Sequence, residues 1–223
     1  MRHVCYKVML CFCIILHSSF FILNSAQAQI THGKEGKMDE KASTVLKQAA
    51  KRLQNLQCEV TLVMLDSEKK EVSRHKASVA YRQGKYRLNM EGMEVVCDGT
   101  TVWQWNKEAK EIVINNMPPE SDIDLLNPGR LIANYEKNFR AKYIRTEDDG
   151  TAVIDLQPRS AQNYHKIRLY VGEKEGQLKR VEVHKFDSSR EIYDFAKLRY
   201  GNASGSFVLK PEEHPGVEII DMR

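Results

Sequence analysis

Catalysis needs a nucleophile, a base or metal ligands at workable spacing, and this sequence offers few. Beyond its first thirty residues the histidines are His32, His75, His165, His184 and His214. No two of them stand four apart, as two ligands on one helix face would. There is no Gly-x-Ser-x-Gly elbow, phosphate-binding glycine loop, dinucleotide fingerprint or His-Glu-x-x-His. Asp148-Asp149 runs into Gly150 and reads as a turn, and Glu212-Glu213 reads as a solvated pair near the C-terminus. The expectation is a protein that is not an enzyme and uses no metal and no cofactor.

The unusual chemistry is apolar. The stretch Val95–Ile114, VVCDGTTVWQWNKEAKEIVI, holds both tryptophans of the chain, Trp103 and Trp105. Residues two apart in a strand share a face. Tyr86, Leu88 and Met90 share a face in the same way, as do Ile112 and Ile114. Met64, Met90, Met93 and Met117 add adaptable side chains suited to variable apolar ligands. Two readings stand here. These residues either fill an ordinary core, which composition alone favours, or line a space that a ligand fills.

The elements that must position them alternate with period two. Residues 38–56, MDEKASTVLKQAAKRLQNL, have helical period instead, with Val45, Leu46, Ala49, Leu53 and Leu56 on one face and Asp39 and Glu40 in the first turn. CEVTLVML, HKASVAYR, KYRLNME, EVVCD, TVWQWN and EIVINN then read as strands, punctuated by Gly84-Lys85, Glu91-Gly92 and Asp98-Gly99. Pro118-Pro119 and Asn127-Pro128-Gly129 break the pattern. Two short helices are expected around that hinge, one carrying Ile123, Leu125 and Leu126, the next carrying Leu131, Ile132, Tyr135 and Phe139. Strands resume near Lys142 with TAVIDLQP, KIRLYVGE, QLKRVEVHKF, EIYDFAKLRY and SFVLKP. Contiguous strands without crossover helices predict an α+β fold: a curved antiparallel meander sheet with helices on one side.

The N-terminus reads as an export signal. Arg2 and Lys7 precede an apolar run from Val8 to Leu23, and Ala26-Gln27-Ala28 is a cleavage pattern. The expectation is residues 1–28 as a cleaved signal peptide, 29–37 as a flexible tail and 38–223 as one exported domain. Three of the five cysteines, Cys5, Cys11 and Cys13, lie in the leader, leaving Cys58 and Cys97, paired or as buried thiols. The formal charge is +4, two of it in the leader at Arg2 and Lys7, so nothing announces a nucleic-acid partner.

The phrase CDGTTVWQWNKEAKEIVI resembles the D-G-x-x-[VL]-W-x-[YW] stretch of the LolA-type periplasmic carriers of outer-membrane lipoproteins, at Asp98, Gly99, Val102, Trp103 and Trp105. The ending FVLKPEEHPGVEIIDMR is similar to that family's close, at Phe207, Leu209, Pro211, Gly216, Val217, Ile219 and Asp221. The resemblance implies an unclosed half-barrel lidded by helices. It implies a monomer that takes acylated lipoproteins from an inner-membrane releasing transporter to an outer-membrane acceptor. It places Tyr86, Leu88, Met90, Trp103, Trp105, Ile112 and Ile114 at the acyl chains and makes the segment from Asp122 to Phe139 part of a lid, with Leu125, Leu126, Leu131 and Ile132. It also assigns Arg82, in RQGKYRL, to an arginine that holds the empty lid shut. Gln83 departs from the family's proline there, which leaves a plain surface charge as the rival reading of Arg82. Binding of lipid or glycolipid unconnected with sorting, or lipoprotein sensing by a regulatory domain of the same fold, are the alternatives.

Overall fold

Met38–Arg223 is one compact unit, and the computed structural model describes residues 39–117, 128–133, 135–201 and 203–223. Helix α1 (Glu40–Arg52) is followed by six strands: β1 (Asn55–Leu65), β2 (Glu71–Arg82), β3 (Lys85–Met90), β4 (Met93–Cys97), β5 (Thr101–Asn106) and β6 (Glu111–Asn116). Short helices α2 (Pro128–Ala133) and α3 (Tyr135–Asn138) lead into β7 (Phe139–Thr146), β8 (Thr151–Pro158), β9 (Tyr164–Gly172), β10 (Leu178–Lys185) and β11 (Arg190–Tyr200). A 3-10 turn at Pro211–Glu213 precedes β12 (Glu218–Asp221).

All twelve strands form one sheet in the order β12-β6-β5-β4-β3-β2-β1-β11-β10-β9-β8-β7. It is antiparallel throughout except at β12, which runs parallel to β6. The expected meander is therefore two meanders. The chain walks from β1 out to β6, restarts at the opposite edge with β7, and walks back until β11 zips onto β1. Those two strands are more than a hundred residues apart in sequence, and local alternation carries no information about such a join. SFVLKP, expected as a strand, is irregular, while the last strand lies further on at Glu218–Asp221.

The register divides the sheet into two faces. The helix face carries Leu56, Tyr81, Tyr86, Cys97 and Val102 in one cross-strand row, and Cys58, Val79, Leu88, Val95 and Gln104 in the next. It continues on the second meander through Tyr193, Val181, Leu169 and Ile154, all buried. Directly behind Ile154 and Leu156 the outer face presents Asp155, which pairs with Arg168 at 2.6 Å and Lys166 at 3.4 Å. Burial works to raise the Asp155 pKa, but the bonds and charge of Arg168 outweigh it and hold the carboxyl below its usual range. The outer face of this half carries charge but is partly covered: Val153 of β8 is fully buried there, and Asp155 and Glu182 are buried on the same face.

Helix α1 covers the helix face with Ala42, Val45, Leu46 and Ala49, all buried. The Gln48 side-chain amide donates to the Lys174 carbonyl in the β9–β10 turn, and the Arg52 guanidinium lies 5.0 Å over the Tyr200 ring. Gly176 in that turn has φ +64, and a Cβ there would stand 2.9 Å from the Gln48 backbone. Only glycine accommodates both the left-handed backbone and the close helix. Asp39 starts the helix: one carboxylate oxygen accepts from the Ala42 N–H at 3.0 Å and the other from the Tyr143 N–H of β7 at 2.8 Å. One side chain thus caps α1 and occupies a donor of the edge strand β7.

Cys58 and Cys97 are both buried, unbridged thiols. They sit on β1 and β4 with β2 and β3 between, roughly 14 Å along the sheet, beyond disulfide reach. Burial pushes the Cys58 thiol up to about 12.

Candidate functional site

The expected site residues fall on opposite faces of the sheet. Tyr86 pairs with Cys97, and Cys97 pairs with Val102, so Tyr86, Leu88 and Met90 share the helix face with Val102 and Gln104. Trp103 pairs with Val96 and Ile114, and Trp105 with Glu94 and Ile112, which puts both indoles and both isoleucines on the outer face. One apolar space cannot be lined by both sets, and the expectation that it is must be corrected. The physical reason is parity: neighbouring residues of a strand point oppositely, and these pairings carry Tyr86 across to Val102, next to Trp103.

The tryptophan side is already filled. Val96, Trp103, Ile112, Ile114 and Leu209 form a buried cluster, with Trp105 and Val217 packed against it. Its cover is the C-terminal segment. His214 stacks on Trp105 with ring centroids 4.0 Å apart, and Lys107 approaches the same indole from 5.1 Å. The two sequence motifs are thus halves of one packed unit: Trp103 and Trp105 from one, Leu209 and Val217 from the other. Asp98 shapes the preceding turn by accepting from the Thr100 and Thr101 N–H groups at 2.9 and 2.8 Å.

Arg82 belongs to the same outer side. It pairs in register with Asn55 and Lys85, is exposed, and holds its guanidinium 4.8 Å over the Phe207 ring. It therefore pins the C-terminal segment; residues 118–127 of the expected lid, the other half of the expected gate contact, lie outside the described residues. The departure at Gln83 has a local cause. Gln83 and Gly84 are the two central residues of the β2–β3 hairpin, with φ of 49° and 85°. That is the left-handed pair of a type I′ turn, and proline, fixed near φ −65°, cannot occupy it.

The helix face holds the other part of the expected acyl-chain set, Tyr86, Leu88 and Met90. Its rows are sealed at the end of the sheet nearest the β2–β3 turn and less so at the other. Met64, Ala77, Met90, Met93 and Gln104 are only half-buried there. Met90 and Met93 are directly paired across the β3–β4 hairpin. Helix α2 packs against α1, with Leu131 and Ile132 buried, and Tyr135 of α3 is buried and meets Ser43 of α1. Leu125 and Leu126, the other expected lid residues, lie outside the described residues. Phe139, expected on the second short helix, is the buried first residue of β7. Composition pointed to the methionines, but only the register says which face they serve. Among the described residues no group of three His, Cys, Asp or Glu is placed to hold a metal ion, and no helix is long and apolar enough to cross a membrane.

Comparison with known proteins fits this architecture. A comparison with curated protein sequences gave no match. Among solved structures, an uncharacterized conserved protein from Thermus thermophilus is similar at 13% identity and TM-score 0.54, over 82% of this chain and 99% of that one. A LolA superfamily protein from Nitrosomonas europaea aligns at 12% identity and TM-score 0.43, over 77% and 98%. LprF from Mycobacterium bovis aligns at 13% and 0.44, over 78% and 99%. The family model described as outer membrane lipoprotein carrier protein LolA matches residues 65–207, from the end of β1 to the C-terminal cover, and the chain belongs to that family.

Proposed function

We propose that this chain is a periplasmic carrier that shields the acyl chains of lipoproteins on the helix face of its sheet. In this reading it takes lipoproteins from a releasing transporter in the inner membrane and hands them to an acceptor at the outer membrane. The observation that carries the reading is that Met90 and Met93, paired across β3 and β4, and Met64 further along β1 are only half-buried on the face that carries Tyr86 and Leu88, away from the β2–β3 turn. Each methylene moved out of water is worth about 0.8 kcal/mol, so a long acyl chain needs cover on the order of 10 kcal/mol. Unbranched, polarizable methionines can wrap chains of differing length without a fixed pocket shape. A cover that holds the chains loosely lets onward transfer compete. Leu131 and Ile132 of α2 would then close over the ligand, and Tyr86 and Leu88 would form its floor.

The test is to express the protein in a periplasm containing lipoproteins, purify it without detergent, and identify what co-purifies by native and denaturing mass spectrometry. Acylated lipoprotein at near-stoichiometric amounts is expected. Free lipid or glycolipid alone would favour plain lipid binding, and a ligand-free protein that ignores added acyl lipid would overturn the reading.

A further inference from the structure

On the second meander the helix face is apolar through Ile167, Leu169, Val181 and Val183, all buried, and then carries polar groups at one end. Glu191 of β11 lies opposite both Val183 and Met64 and is buried. Both of its carboxylate oxygens are engaged. One takes the Lys185 ammonium at 2.6 Å, and the other accepts from the Tyr193 hydroxyl at 2.9 Å. An ammonium has three N–H donors, and this contact uses one.

Tyr164 joins them through a bulge. His184 pairs with Lys166 but Lys185 with Tyr164, so His165 is an extra residue in β9. An unbroken strand would turn His165 to the helix face and Tyr164 outward. The bulge reverses this. His165 is exposed, with its ring 5.9 Å from that of His184 on the outer face, and Tyr164 stands beside Lys185 on the helix face. Tyr164 is only 5% exposed, and its hydroxyl is buried without a hydrogen-bond partner. Burial pushes its pKa up, so the group stays an O–H donor. Such a donor without an acceptor costs stability. The Tyr164 O–H and the Lys185 N–H groups therefore both call for an acceptor. Glu191 already balances the lysine charge, so the acceptor that fits is neutral. The short helices are anchored at this end of the sheet: Phe139, where α3 enters β7, pairs with Pro158, and the Arg159 Nε donates to the Glu136 and Phe139 carbonyls at 3.2 and 3.1 Å.

We propose that the Tyr164 hydroxyl and the Lys185 ammonium hold the ester carbonyl that joins an acyl chain to its glyceryl group. The proposal rests on the carrier reading and adds the polar end of the ligand to it. The ester enters as α2 and α3 lift, and its chain crosses β10 and β11 to Met64, three strand spacings or roughly 14 Å away. The test titrates wild type and Tyr164→Phe by calorimetry with 1,2-didecanoylglycerol and with its di-O-decyl ether, which keeps the chains and lacks the carbonyls. A peptide bearing the didecanoylglyceryl group on an N-terminal cysteine, with its own ether analogue, distinguishes a lipoprotein from a free lipid. Wild type should prefer ester over ether by about fivefold, and Tyr164→Phe should lose about that factor for the ester and none for the ether. The urea midpoint of Tyr164→Phe should be unchanged or higher, because the hydroxyl has no bond to lose in the empty protein. An ester preference seen only with the peptide identifies the lipoprotein as the source, and one shared by the glyceride identifies the ester as sufficient. Equal affinity of wild type for ester and ether, or an equal loss for both in Tyr164→Phe, overturns the proposal and leaves the carrier reading standing. Failure of wild type to bind any of these acyl compounds overturns both.

Discussion

Replacing Trp103 by alanine separates the two faces of the sheet. The indole is 8% exposed and packs on Val96, Ile112, Ile114 and Leu209. It loses both its transfer energy and the contacts of the cavity left behind, about 3–5 kcal/mol for a buried aromatic. A folded domain has about 5–15 kcal/mol in total, so this is a large share. At this size it corresponds to a fall in Tm of roughly 6–20 °C. Urea titration followed by far-UV circular dichroism measures the loss, with Trp103→Leu as a milder variant should the alanine protein not fold. Acyl-chain affinity, measured in buffer where the variant is folded, should stay within a few-fold of wild type, because the indole faces the C-terminal segment and not the helix face. A stability loss below about 1 kcal/mol together with a collapse of acyl binding would place Trp103 at the ligand and refute the register argument.

Three further outcomes follow from named contacts. Asp39→Ala removes the cap of α1 and the bond to the β7 edge and should cost about 1–2 kcal/mol. The Ala42 N–H, followed by that of Tyr143, outweighs burial and holds the Asp39 carboxyl below its usual pKa. Its contribution is therefore complete above the unfolded value of about 3.9 and is lost as pH falls through the lower folded value. The gap between wild type and variant in urea melts should close below about pH 4. Gly176→Ala forces a side chain onto the Gln48 backbone and an unfavourable φ, costing about 1–3 kcal/mol in the same assay; an unchanged midpoint would mean that α1 does not press on this turn. Arg82→Leu should leave lipid release at the wild-type rate and cost no more than about 1 kcal/mol from its contact with Phe207; slowed release would restore the gate assignment.

Most of the local structure was legible. TVWQWN, EIVINN and TAVIDLQP are strands at the boundaries their alternation indicates, because each has a turn signal at its ends. Helix α1 is shorter than its periodic pattern: Asn55 and Leu56, inside the expected helix, begin β1 and pair with β2 and β11. The β1–β11 join and the parallel β12 were not legible, since both depend on contacts distant in sequence. The facing of the tryptophans has a signal of its own in the neighbouring strand. Val95, Val96 and Cys97 are consecutive and all buried, as a strand covered on both faces requires. Such a run shows that the outer face is covered here too, and it leaves the indoles to that second core.

The central claim is that acyl chains lie on the methionine side of the sheet and away from the indoles. The direct measurement is an NMR titration of methyl-labelled methionine and indole N–H signals with an acyl lipid carrying a nitroxide in its chain. Broadening of the Met64, Met90 and Met93 methyls, with the Trp103 and Trp105 indole signals intact, is the predicted result. Broadening of the indoles with those methyls unaffected would contradict it.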